Sequence, residues 1–145
     1  WRFHAVHHGA YRVYWANSGN FHAIDAFFGF TFYLLPLVLL GVPANVLIIF
    51  MTFSAVTGVL EHANFNFKAS FWNYILNSAE LHRWHHSKNQ NEGLNNYGKI
   101  TCIWDLVFGT FYLPKDTYVE DIGLEGDQVS VPVDFIGQLK YPFKS

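Results

Sequence analysis

The chain has 145 residues, enough for one modest core, and a formal net charge of −2, which argues against nucleic acid or a polyanionic partner. Hydrophobic residues make up 51%, aromatics 19% and charged residues 14%, against ~25% charged in an ordinary soluble domain, so the composition excludes a typical water-soluble fold and points to lipid. The single cysteine, Cys102, excludes a disulfide framework and a thiolate metal site.

Trp1 to about Val13 predicts an amphipathic helix carrying His4, His7 and His8 in WRFHAVHHG. Residues at i, i+3 and i+4 of an α-helix fall within an arc of about 100°, so the three imidazoles aim at one point. Asn17-Ser18-Gly19-Asn20 then predicts a loop. From Ala26 to Leu60 there is no Asp, Glu, Lys, Arg or His. As one helix this run would be roughly 50 Å long, against the ~30 Å of a bilayer core. Pro36, Gly41 and Pro43 break it, which predicts two apolar helices, about 26–40 and 44–60, joined by Gly41-Val42-Pro43 as a membrane hairpin. Lys and Arg lie on both flanks and none in the turn, so both flanks are expected to face the cytoplasm. Two crossings return the chain to its starting side, where the histidines before and after the hairpin can share a site. His62 lies at that same end of the second apolar helix.

Trp72 to His86 predicts a second metal helix, in which His82, His85 and His86 of LHRWHHS repeat the first spacing. Ser87 to Gly98 is dense in Asn and Gly and predicts a loop. Ile100 to Pro114 is apolar but too short for a comfortable span, which predicts an interfacial or re-entrant helix. Asp116 to Ser145 reads as a cytoplasmic tail with short extended pieces, Val129 to Val133 among them.

Six of the eight histidines thus fall in two copies of one pattern. Imidazole suits iron, zinc, copper and nickel, so the spacing specifies a transition metal without choosing the element. Six imidazoles exceed the four donors of a structural zinc, which makes two ions the economical reading, and His62 is a seventh candidate ligand. Glu61 and Glu80 stand one or two positions from a ligand histidine and point to other helix faces. Asp105 is a candidate to orient an imidazole, or else a helix cap or a partner for Arg83. Asn64 is a similar outer group or an interface residue, and His22, a lone loop histidine, is a hydrogen-bonding or substrate-side candidate.

These segments resemble the fatty acid hydroxylase superfamily of integral-membrane di-iron enzymes. WRFHAVHHG is similar to the second histidine box of that family and LHRWHHS to the third. NFHAID resembles a Phe-His-Pro-Ile/Val-Asp segment of the sterol desaturase branch, with Ala23 where that branch has proline. NNYGKITCIWDLVFGTFYLP and GQLKYPF resemble further family stretches. The family's first box, a His pair upstream of the second, is absent, so the resemblance implies an N-terminally truncated frame. It further implies an all-α integral-membrane bundle with cytoplasm-facing histidine helices, in the bacterial inner membrane or the endoplasmic reticulum. Residues 1–114 would be its membrane-embedded catalytic domain and 115–145 a cytoplasmic tail. Two iron ions on His4, His7, His8, His62, His82, His85 and His86 are implied, with O2 as co-substrate. The implied reaction is hydroxylation or desaturation of an unactivated C–H bond in a membrane lipid. Electrons would come from a separate reductase or carrier, since the chain holds no Gly-x-Gly fingerprint. The alternatives are a non-catalytic or degenerate histidine-rich zinc-binding membrane protein, and a bis-histidine haem protein.

Overall fold

Histidines 4, 7 and 8 sit on a single helical turn. In the structure, a computed structural model that describes residues 1–65, 68–126 and 131–144, α1 spans only Ala5–His8. The expected continuation to Val13 is missing because two asparagines take the carbonyls that would have propagated it. Asn17 Nδ2 donates to His7 O at 3.4 Å, and Asn20 Nδ2 donates to Val6 O at 3.3 Å. A 3₁₀ turn at Trp15–Gly19 brings both asparagines into place.

His22 then caps α2, Ala23–Leu39: its Nδ1 accepts from Ile24 N, as a capping side chain does. α3 follows as Ala44–Glu61. Gly41 makes the turn between them with φ +74°, a left-handed conformation open to glycine at no steric cost. Pro36 stays inside α2 and Pro43 caps α3. α3 is long and apolar enough to cross a membrane, and α2 is a shorter apolar helix. No residue of α2 is buried, and in α3 only Ser54 and Glu61 are. Phe32, Leu39, Ile48 and Ile49 are each more than 60% exposed. An apolar surface of this extent calls for lipid or further protein to cover it. The two helices meet where Tyr33 and Phe50 stack at 4.8 Å.

The second histidine segment is split. Residues Ser70–Tyr74 form a 3₁₀ turn, and α4 covers Ala79–His85 behind the N-cap Ser78, whose hydroxyl accepts from Glu80 N and Leu81 N. Glu80 Oε2 accepts from Ala69 N at 3.0 Å and Asn73 Nδ2 at 2.7 Å, folding the turn back against the start of α4. The next segment holds α5, Gln90–Gly93, and α6, Ile103–Phe108, a single short helix with Trp104, Val107 and Phe108 exposed. The buried apolar core lies at this end of the molecule, around Val6, Val13, Leu81, Trp84, Cys102 and Leu124.

Carboxy-terminal residues pack on that core. Gly123 N donates to His86 O, Lys88 N donates to Asp121 O, and Ser87 and Ile122 form an antiparallel bridge. Phe143, just beyond α7, Phe135–Lys140, meets Phe3 edge-on at 5.8 Å. Of the expected extended piece Val129 to Val133, Val129 and Ser130 lie outside the described residues; no strand occurs among the described ones.

Candidate metal centre

α1, the carboxy-terminal end of α3 and α4 deliver seven imidazoles to one place. They divide into two groups: His7, His62, His82 and His86 in one, and His4, His8 and His85 in the other. Within each group the candidate donor atoms lie within 4.8 Å of one another. The rings of His8 and His86 stack at 4.3 Å, so the groups share a wall. Phe21 stacks on His7 at 4.3 Å and closes one side.

Hydrogen bonds decide which nitrogen faces inward for four of the rings. A carbonyl can only accept, so His7 Nδ1 donates to Asn20 O at 3.2 Å, His62 Nδ1 to Gly58 O at 2.7 Å and His85 Nδ1 to Asn95 O at 2.8 Å. His4 Nδ1 lies 2.8 Å from Asp25 Oδ2. With the proton on Nδ1, the neutral rings of His7, His62 and His85 turn a bare Nε2 lone pair to the centre.

Burial holds the rings neutral. His7, His8, His82 and His86 are lowered well below the ordinary imidazole value by burial first and neighbouring imidazoles second. Burial also lowers His62, and it lowers His85 to about 4. The Nε2 atoms of His62 and His7 are nevertheless 3.0 Å apart, those of His82 and His62 3.0 Å, and those of His86 and His82 3.1 Å. His7 and His62 both donate from Nδ1, so their facing Nε2 lone pairs at 3.0 Å repel unless a cation lies between them. A metal ion at ~2.1 Å from each nitrogen sets neighbouring donors ~3.0 Å apart in an octahedral shell and ~3.4 Å apart in a tetrahedral one. The donor set therefore fits a first-row transition metal. In the second group, His8 Nε2 is buried without a hydrogen-bond partner, as a ligand nitrogen would be.

The other sequence candidates have structural partners. His22 is occupied at both ring nitrogens, by Ile24 N and by Leu139 O at 3.1 Å, and stands outside both groups. Asp105 orients no imidazole: Oδ1 accepts from Tyr97 N and Thr110 Oγ1, and Oδ2 from Gly98 N. Its length suits it to closing the 97–110 loop, so it is a loop clamp and not the partner of Arg83. Arg83 instead donates to Asn64 Oδ1 at 3.4 Å, at the exposed surface. Glu61 is buried beside His62, with Oε1 unpaired. Sequence reasoning missed Asp25, an acidic residue in the first turn of α2. It also missed the carbonyls of Asn20, Gly58 and Asn95, which leave no trace in side-chain identity.

The fatty acid hydroxylase family model matches residues 1–110, which contain all seven converging histidines. The chain belongs to that family. It is 41% identical over 143 residues to an ornithine lipid hydroxylase of Rhizobium tropici, covering 99% of the chain and 42% of that relative. It is 29% identical over 119 residues to an alkylglycerol monooxygenase of Danio rerio, covering 82% of the chain and 26% of the relative. The human alkylglycerol monooxygenase is 33% identical over 70 residues, 40% of the chain and 16% of the relative. The chain thus spans less than half the length of the curated relatives it matches. No solved structure matches it. The family match stops near the end of α6, yet residues beyond it close over the centre, as the Gly123–His86 hydrogen bond shows.

Proposed function

We propose that this chain forms the metal-binding part of a membrane di-iron enzyme that uses O2 to hydroxylate a C–H bond of a lipid. The observation behind this reading is the convergence of the His7, His62, His82 and His86 Nε2 atoms, beside a second imidazole group. When bound there, two irons would supply the activation of O2 that a C–H bond of this strength requires. His7, His62, His82 and His86 would hold one ion and His4, His8 and His85 part of the shell of the other. The carbonyls of Asn20, Gly58 and Asn95 keep the protons on Nδ1, and Phe21 keeps water from the His7 ring.

Hydroxylation is favoured over desaturation because the relatives are a lipid hydroxylase and a monooxygenase. The stronger likeness to the ornithine lipid hydroxylase favours a lipid with an amino-acid headgroup. Residues 1–114 form the membrane-embedded catalytic part, with the α2–α3 hairpin crossing the bilayer and the histidines at its cytoplasmic side. That placement lets a lipid chain approach along the exposed apolar faces of the hairpin. Electrons come from a separate donor, consistent with the lack of a dinucleotide fingerprint.

The test is expression of the full-length protein in a bacterium that makes amino-acid lipids, under isotopically labelled O2, with mass spectrometry of the lipid extract. Lipid gaining one labelled oxygen, lost in His82→Ala, is the expected result. Tightly bound zinc with no O2 consumed after chemical reduction would overturn the proposal.

A further inference from the structure

We propose that Asp25 is a positioning residue: its carboxylate accepts the His4 Nδ1 proton and so turns the His4 Nε2 lone pair toward His8 and His85. The inference rests on the metal centre proposed above. Three rings of that centre are oriented by neutral backbone carbonyls, whereas His4 has a carboxylate, Asp25 Oδ2, at 2.8 Å. It is the one imidazole–carboxylate contact among the described residues.

His4 is also the ring that most needs an anchor. Its side chain is 33% exposed, while the other six imidazoles of the centre are buried. Packing alone therefore leaves its orientation open, and a hydrogen bond must set it. A carboxylate does so more firmly than a carbonyl, because the bond is charge-assisted, and it makes the opposite nitrogen a stronger donor to a metal. Asp25 is itself held in the first turn of α2 behind the His22 cap. The base of the apolar hairpin thereby fixes a ligand of the three-imidazole group, and the four-imidazole group has no contact with Asp25.

Co(II) alone, competed against a chelator of known affinity, reads both groups in the full-length protein held in detergent. The parent protein is expected to show two classes of Co(II) site. Asp25→Asn is expected to weaken one class by about 10–100-fold and leave the other unchanged, with the melting temperature of the metal-free protein also unchanged. Asp25→Glu, which keeps the carboxylate, is expected to recover part of the loss. Unchanged affinities in Asp25→Asn would overturn the role of Asp25 while leaving the metal centre standing. Equal weakening of both classes, with a lower melting temperature, would overturn it as well, because that is the signature of a fold defect. A parent protein that binds no Co(II) would sink both the metal centre and this inference.

Discussion

His62 Nε2 lies 3.0 Å from His82 Nε2, and also 3.0 Å from His7 Nε2, so one ring at the end of α3 joins the amino-terminal histidines to those of α4. His62→Ala removes the central donor of the four-imidazole group. Metal content is expected to fall by about one ion per chain, and affinity by more than the roughly 10–100-fold typical of losing an outer hydrogen-bond partner. Elemental analysis of the purified variant checks this; full metal content would show that His62 is a bystander.

Metal removal should cost stability as well as activity. An ion that binds only the folded chain stabilises it by about 2.7 kcal/mol when its concentration is 100 times the dissociation constant. Treatment with a chelator is expected to lower the melting temperature, and restoring iron to raise it again. Four donors meet in one group and three in the other, so the first ion back should bind more tightly than the second. A calorimetric titration with a single class of site would contradict that ordering.

Much of this architecture was legible because it depends on patterns that survive averaging over environment. The uncharged run gives the hairpin, and its breakers Gly41 and Pro43 fall within two residues of the observed helix ends. The histidine spacing gives the ligand sets because a single turn of helix is enough to align them. Helix lengths were overestimated at α1 and α4 for one reason. Asn17, Asn20, Ser78 and Asn73 satisfy backbone or turn groups through side chains, and that competition depends on tertiary approach that periodicity does not encode. The same holds for Asp105, whose nearest histidine in sequence says nothing about the amides it clamps.

That clamp is testable. Asp105→Ala leaves the Tyr97 and Gly98 amides and the Thr110 hydroxyl without their acceptor. Hydrogen bonds to a charged group contribute roughly 1.5–3 kcal/mol each net of water, so a loss of at least about 3 kcal/mol is expected in thermal unfolding. Asn95, whose carbonyl orients His85, sits at the edge of this loop, so metal affinity should fall together with stability. Gly98→Ala should act in the same direction, since an added Cβ would collide with Thr101 O and Asp105 Oδ2. Normal stability in both variants would remove the loop from any role in holding His85.

Acid should destabilise the metal-free protein, and the buried imidazoles set both the sign and the window. His85 is lowered to about 4 in the folded chain, while an unfolded histidine titrates near ~6.5. Above ~6.5 both states are neutral and His85 makes no pH-dependent contribution. Between ~6.5 and 4 the unfolded chain takes up a proton that the folded chain refuses, so unfolding becomes easier as pH falls. At 1.36 kcal/mol per unit, His85 alone accounts for roughly 3 kcal/mol by pH 4. His7, His8, His82 and His86 are shifted in the same direction, chiefly by burial, and steepen the loss. A bound metal needs the same unprotonated nitrogens, so it should dissociate in this window too. Melting temperatures of the chelator-treated protein at pH 7, 6 and 5 should therefore fall progressively. A flat profile would mean that these rings are not buried as neutral groups, and the lone-pair argument for the metal would fall with it.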